Sequence, residues 1–309
     1  MINFFTVTLK SNLDTLKKSI PALNSFYNFS HFAIICPSVD NQLFSKAFHC
    51  YPKISIVSED NLISKKDFEE MAAQIFQASN INPSRIGWYY QQALKLSYAL
   101  MHQQQVGSTI MWDADTIPLR RIEFSEGNRS RLYGSLHEYH TDYFKTIQEI
   151  FVFNPPKLAY TVQFFSLTDI ERQALIKRLI AYVRKAPYQS TTNIPKLVSR
   201  AVLTSIKSAH QKLDRSFISE QELVGLSNSI IDPPLSPVAI VHFRTGYKWE
   251  LTKSRLKLLS FLGYSHATAE DHKQSDLTKY NILFYFIVLK DFLFQRYKLL
   301  KLHATKYTY

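Results

Sequence analysis

Glycine is scarce in this chain: there are seven in 309 residues, and none falls into G-x-G-x-x-G or precedes a Lys-Ser or Lys-Thr pair. A dinucleotide fingerprint and a P-loop are therefore excluded, because both need glycine where the backbone wraps phosphate. Cysteine is scarcer still. Cys36 lies inside an apolar run and Cys50 follows His49, with no Cys-x-x-Cys or Cys/His spacing that would hold zinc. Two isolated thiols suit a reducing compartment. No uninterrupted apolar run reaches the ~20 residues that cross a bilayer. The opening MINFFTVTLK lacks the basic start, long apolar segment and small-residue cleavage site of a secretory signal, and reads better as a first strand. A cytoplasmic chain is expected. Acidic residues are the minority charge, 25 Asp and Glu against 37 Lys and Arg, a net +12. That balance attracts an anionic partner: nucleic acid, a phosphate-bearing ligand or an anionic membrane surface.

What is present is apolar bulk. Hydrophobic residues make up 46% and charged ones 20%, enough for one sizeable core and too little charge for a disordered chain. Short β-like runs (NFFTVTL, HFAIICP, KISIVSE) alternate with helical stretches, the first through LDTLKKSIPALNSF and another from about Lys65 to Ala78. This alternation predicts an α/β fold with a mainly parallel sheet and flanking helices. Next comes NPSRIGWYYQQALKLSYALMHQQQ, in which Tyr89, Ala93, Leu96 and Leu100 keep helical spacing, and it leads into STIMWDADT. Asp113 and Asp115 thus fall at the C-terminal end of a predicted strand, where open α/β sheets bind ligands. Two aspartates one residue apart present hard oxygen ligands to a divalent cation, which in turn neutralises a diphosphate. By spacing alone such a pair is more often a loop-capping or solvated turn, but this one follows an apolar strand and precedes Thr-Ile-Pro, which stops the strand and fixes a turn.

Beyond residue 250 the character changes. Residues 251–309 hold ten Lys and Arg against four Asp and Glu, half the net charge of the chain. The stretch YNILFYFIVLKDFLFQRYKLLKLH mixes large aromatics and leucines with Lys290, Arg296, Lys298 and Lys301. Two domains are expected on this basis, 1–250 and a basic amphipathic extension over 251–309. Residues 281–303 either pack on the core or rest on an anionic membrane surface at the inner face of the cytoplasmic membrane.

Taken in order, GWYYQQALKL (87–96), IMWDADTIPL (110–119), FISEQELVG (217–225) and VHFRTG (241–246) carry a resemblance. The chain resembles a family of bacterial glycosyltransferase-like proteins found among capsule and lipopolysaccharide biosynthesis genes, themselves similar to the GT-A glycosyltransferases. The resemblance runs from about residue 4 to 250. It implies a GT-A-like, Rossmann-like fold with a DxD metal site holding Mn²⁺ or Mg²⁺. It also implies a nucleotide-sugar donor, with a UDP-sugar favoured, and a surface-polysaccharide, lipopolysaccharide or lipid-linked glycan as acceptor. Asp115 would bind the metal directly, Asp113 the ribose or the metal through water, and His242 would supply a further metal ligand. The resemblance also draws Gln92 and Lys95 toward the donor.

Arg244 and Lys248 suit the leaving diphosphate, one as a planar fork and the other as a point charge. HFRTGYKW loosely resembles the HxxGxxKPW ending of glycogenin-like retaining transferases. Its glycine is displaced by one and the proline is missing, which leaves the stereochemistry open. An inverting route, slightly favoured, needs a carboxylate to take the acceptor's proton, and Glu220 is the first choice with Glu222 the second. Ser219 stands at N-cap position and Glu222 at capping-box distance, so Glu222 also has a purely structural explanation. Trp88 and Tyr89 are more often core than stacking platforms, and Gln163 in TVQFFS is a candidate for the acceptor cleft. A catalytically inactive scaffold and a basic nucleic-acid binder are the alternatives, the latter predicting steeply salt-dependent binding. No nucleic acid is expected on the leading reading.

Overall fold

The computed structural model describes residues 2–76, 83–102, 108–134, 143–144, 147–148, 150, 159–160, 162–184, 193–208, 218–229, 235–237, 240–243, 251–269 and 281–306. Its centre is a five-stranded sheet. Strands β1 (Ile2–Val7), β2 (His31–Cys36), β3 (Ile54–Ser58) and β4 (Ser108–Trp112) run parallel in the order β3-β2-β1-β4. The α/β architecture with a mainly parallel sheet is the one expected from the alternating runs.

Successive residues of β1 point to opposite faces, so Phe4 and Phe5 enter two different cores. Phe4 packs with Phe32, Ile34, Ile110 and Trp112 against α1 (Leu13–Tyr27) and α2 (Asn41–Phe48). Phe5 packs with Ala33, Ile35 and Met111 under α3 (Lys65–Ile75) and α4 (Pro83–Met101). Burial on both faces explains why β2 reads as an unbroken apolar run rather than an alternation. In α1, Leu16, Ser19, Ile20 and Leu23 form the buried stripe, and the helix ends at Asn28 in the left-handed region (φ 43°), whose N–H bonds back to Asn24.

Beyond β4 the chain makes short strands: β5 (Thr116–Pro118), β6 (Ser125–Glu126), β7 (Arg129–Ser130) and β8 (Leu132–Gly134). Strand β9 (Phe164–Leu167) returns antiparallel against β4 and closes the edge of the central sheet. Helix α5 (Asp169–Arg184) follows. Its start is fixed by a reciprocal cap: Thr168 N–H donates to Glu171 at 2.8 Å, while Glu171 N–H points back to the Thr168 hydroxyl at 3.5 Å. The same carboxylate accepts Ser130 N–H and the Ser130 hydroxyl, tying β7 to the helix.

Helices α6 (Ile194–Ser208) and α7 (Glu220–Ser229) complete the second core. Strand β10 (Leu235–Pro237) pairs with β8. Strands β11 (Ile240–Phe243) and β12 (His266–Ala269) pair in parallel, and β12 then runs antiparallel to β5. Helices α8 (Lys253–Phe261) and α9 (Asn281–Lys306) pack with this three-stranded sheet around Ile117, Leu119, Leu259, Tyr264, Ala267, Phe284 and Val288. Residues beyond 250 are therefore strand partners of the segment that directly follows Asp115. Among the described residues no helix is long and apolar enough to cross a membrane.

Candidate functional site

Strand order sets where a site can lie. From β1 the chain proceeds to β2 on one side and later to β4 on the other, so a crevice opens where the C-terminal ends of β1 and β4 diverge. Asp113, Ala114 and Asp115 form the turn at that end of β4. The turn is closed twice: Thr116 N–H donates to the Asp113 carbonyl at 3.1 Å, and the buried Trp112 indole N–H donates to the Thr116 carbonyl at 2.9 Å.

The two aspartates differ in surroundings. One oxygen of Asp113 accepts Lys95 Nζ at 2.6 Å, and the other accepts Gln221 Nε2 at 2.9 Å. Asp115 is half-buried, with the Thr116 hydroxyl at 3.2 Å, and that hydroxyl lies 2.7 Å from the hydroxyl of Thr268 on β12.

Lys95 is the hub. It is buried on α4, three residues from Gln92 and on the same helical face, and its ammonium also meets Glu220 Oε1 at 2.8 Å. Gln92 Oε1 in turn accepts the Glu220 backbone N–H at 3.1 Å, satisfying one of the unpaired amides at the start of α7. Burial pushes the Lys95 ammonium toward losing its proton, but the charges of Asp113 and Glu220 outweigh it and hold the pKa above the usual lysine range. Glu220, 2% exposed, has its pKa pushed up by burial and by Asp113, against the pull of Lys95. Lys95 thus stands as the cation between two carboxylates, and this interior depends on it.

Gln221 was not singled out by its sequence setting, yet it connects everything. Its Oε1 accepts Val162 N–H at 2.8 Å and Gln163 N–H at 3.0 Å, while its Nε2 holds Asp113. Gln163 stands in the left-handed region at φ 66°, which costs a non-glycine residue of order 1 kcal/mol or more. In that conformation its carbonyl accepts Asp113 N–H at 2.9 Å. Asp113, Gln163 and Gln221 thus form a closed ring of three hydrogen bonds. The available signal was the position of Gln221 between two glutamates at a helix start, where a neutral amide can donate and accept at once.

Glu222 is also turned inward. Its N–H approaches the Ser219 hydroxyl at 3.4 Å, the N-cap expected from the sequence, and its Oε1 accepts Tyr160 N–H at 2.8 Å. Gly225, one turn on, lies under the Tyr160 ring so closely that a Cβ there would stand 2.4 Å from Tyr160 Cγ. A shallow cavity lined by Tyr133, Tyr160, Val162, Phe164, Gln221 and Gly225 lies beside this packing. Trp88 is half-buried and Tyr89 buried, both packed in the core beneath α4.

The structure thus brings Gln92, Lys95, Asp113, Glu220 and Glu222 into one buried region, with Asp115 at its outer turn. The backbone of His242 lies on β11, but its side chain falls outside the described residues, as do Arg244 and Lys248 entirely. Register supplies a relation for His242 nonetheless. It pairs with Thr268 on β12, and Thr268 pairs with Thr116 on β5. His242 and the neighbour of Asp115 therefore share one row across the sheet, two strand spacings or about 10 Å apart.

A divalent cation fits this donor set only in part. Asp115 offers hard oxygen, and His242 stands on the right row, but both Asp113 oxygens are engaged by Lys95 and Gln221. Among the described residues no group of three or more His, Cys, Asp or Glu gathers as a metal site. A metal here would take few protein ligands and complete its shell with water and substrate phosphate, as Mg²⁺ commonly does.

A family model described as a family of unknown function (DUF6492) matches residues 9–299. No curated protein matches the chain. Solved structures it is similar to include mouse xyloside xylosyltransferase 1 in apo form, at TM-score 0.45 and 9% identity, over 89% of this chain and 100% of that one. The galactosyltransferase LgtC in complex with donor and acceptor sugar analogues gives TM-score 0.46 at 11% identity, over 86% of each chain. The apo structure of WbbM, a bifunctional glycosyltransferase, gives TM-score 0.41 at 7% identity over 89% of this chain and 46% of that one.

Proposed function

The chain belongs to DUF6492, a family of unknown function, and we propose that it is a metal-dependent glycosyltransferase using a nucleotide-diphosphate sugar, with a UDP-sugar favoured. The supporting observation is the carboxylate turn at the switch point of the sheet, where Asp113 is locked from behind by Lys95 and Gln221 while Asp115 stands at the outer edge. A carboxylate whose two oxygens are already committed is a positioning group. Asp115, half-buried two residues on in the same turn, is the group proposed to meet a cation.

Asp115 and His242 would hold Mn²⁺ or Mg²⁺. The metal would neutralise the diphosphate as the bond between the anomeric carbon and the phosphate oxygen breaks and its electron pair passes to the leaving group. Arg244 and Lys248 are the proposed cations for the same diphosphate. The acceptor hydroxyl, from a surface-polysaccharide, lipopolysaccharide or lipid-linked glycan, would form the new bond to that carbon and give up its proton to the leaving diphosphate.

Glu220 and Glu222, expected as candidate bases, receive a different role. Glu220 balances Lys95 and Glu222 holds the Tyr160 amide, so both position the site rather than take the acceptor's proton. Support for an inverting route through these two carboxylates falls accordingly. In this proposal Gln92 is a positioning residue for α7 and Lys95 for Asp113, with the donor bound beyond them. The proposed setting is the cytoplasm, at the inner face of the cytoplasmic membrane.

The test is thermal stability of wild type and Asp115→Asn with UDP, GDP, CMP and ADP, each with and without Mn²⁺. A ligand at ~100 times its dissociation constant stabilises the native state by about 2.7 kcal/mol. UDP with Mn²⁺ is expected to raise the wild-type melting temperature and leave Asp115→Asn unmoved. No shift with any nucleotide would remove the transferase assignment in favour of an inactive scaffold.

A further inference from the structure

Helix α9 has two contrasting faces. Phe284, Val288 and Gln295 are buried against the three-stranded sheet and α8. Asp291 lies on this inner side too, where its Oδ2 accepts the Tyr264 hydroxyl at 2.9 Å and Gln295 Nε2 at 2.8 Å. Outward, Tyr285, Leu289, Leu293 and Tyr297 form one row at four-residue spacing, all exposed. Beside it runs a second row, Phe286, Lys290 and Phe294, also exposed. Arg296 flanks the first row, over the Phe292 ring at 5.2 Å. The end of α8 adds Phe261, 87% exposed and two residues from Gly263, which approaches Arg296. Six large apolar side chains on one helix face exceed the scattered exposure of an ordinary surface.

We propose that this face is a docking surface for an anionic lipid bilayer, with α9 lying in the plane of the interface. Charge decides the occupant. Residues 281–306 carry five Lys and Arg and one acidic residue, Asp291, which is committed inward. A second copy pressed face to face would bring Lys290 and Arg296 of both copies together with no carboxylate on that face among the described residues to meet them. Acidic headgroups supply the missing anions while the hydrocarbon takes Leu289, Leu293 and Phe286. Tyrosines at both ends of the row suit the boundary, with an apolar ring below and a hydroxyl in the headgroups.

The contact also fixes orientation. Helix α9 meets Tyr264, two residues before β12, at Val288 and Asp291 and shares a core with Ala267 of that strand, and β12 is the strand partner of β5, which starts one residue after Asp115. Docking α9 therefore sets the carboxylate turn at one height above the headgroups. The inference draws on the helix face alone and stands whether or not the transferase proposal does.

The experiment is co-flotation of the full chain with vesicles of phosphatidylcholine, with and without phosphatidylglycerol. Wild type should float with the mixed vesicles and not with pure phosphatidylcholine. The triple variant Phe286→Ser, Leu289→Ser, Leu293→Ser alters only exposed positions. It should keep the wild-type melting temperature and circular dichroism and lose flotation. Lys290→Gln should weaken flotation roughly fivefold, and Asp115→Asn should float like wild type even if it abolishes nucleotide binding. Flotation unchanged in the triple variant, no flotation of wild type, or a wild-type dimer in sedimentation equilibrium that the triple variant turns to monomer would each overturn the proposal.

Discussion

Lys95 and Glu220 stand 125 residues apart in sequence and meet at 2.8 Å in the interior, with Asp113 2.6 Å from the same ammonium. Among the described residues Lys95 is the cation that both carboxylates share. Lys95→Met should therefore cost about 3–5 kcal/mol of stability in urea unfolding, because two like charges remain buried without their counter-ion. The double variant Lys95→Met, Glu220→Gln should recover roughly half of that loss, since the two sites are directly coupled. A double variant no more stable than Lys95→Met alone would show that the loss comes from packing rather than charge.

Gln221→Glu tests the closed ring. The carboxylate still accepts from Val162 and Gln163 but no longer donates to Asp113, and it brings a second negative charge against that group. Stability should fall by about 2–3 kcal/mol, and any stabilisation by nucleotide with metal should weaken further as Asp113 shifts. Gln221→Met, which removes the charge conflict and the ring together, should lose the nucleotide effect as well. Calorimetric melting of both variants, with and without UDP and Mn²⁺, reads both effects.

Gly225→Ala places a methyl 2.4 Å from the Tyr160 ring, and rigid packing leaves the ring little room to yield. The expected cost is about 1–3 kcal/mol. Because Tyr160 N–H is held by Glu222, the displaced ring should carry the 160–163 segment with it and blunt the response to nucleotide. A melting curve equal to wild type would mean that the ring moves freely.

Alkaline pH should unfold the protein early. Burial pushes the Cys36 thiol from 9.0 up to about 12 and the Tyr98 hydroxyl from 10.0 up to about 12. In each case the folded chain keeps a proton that the unfolded chain has lost. That contribution to stability is whole below the unfolded pKa of each group and disappears as pH rises through the folded one. The melting temperature should be flat from pH 7 to 8.5 and fall from about pH 9 onward, and Tyr98→Phe should soften the fall. An equal fall in Tyr98→Phe would place the alkaline sensitivity elsewhere.

Much of the frame could be read from residue pattern. The apolar runs around Phe4, Ile34 and Ile56 are the parallel strands, and the spacing of Tyr89, Ala93, Leu96 and Leu100 is the buried stripe of α4. Ser219 ahead of Glu222 marked the start of α7 correctly. The helix expected from about Lys65 to Ala78 spans Lys65–Ile75; residues 77 and 78 lie outside the described residues. Pairings across long separations were not legible, because local periodicity says nothing about which buried polar group meets which. Lys95 has the sequence setting of a ligand contact, yet its ammonium is held between two interior carboxylates. Gln221 shows no motif of its own, and its weight comes from geometry that folding alone creates. The partnership of β12 with β5 was equally hidden, since compositional change near residue 250 suggests an appendage where the backbone makes a sheet.

That last pairing has a consequence for synthesis. Thr116, beside Asp115, bonds to Thr268, encoded 152 residues later. At ~5–20 residues per second, a growing chain carries its carboxylate turn for on the order of ten seconds or more before the flanking strand leaves the ribosome. Throughout that interval β5 offers an unpaired edge to any other strand nearby, the kind of template that recruits wrong partners. The strand that ends this exposure is thus translated long after the turn it flanks, and a ribosome stalled before residue 266 would release a chain whose central turn is still open to aggregation.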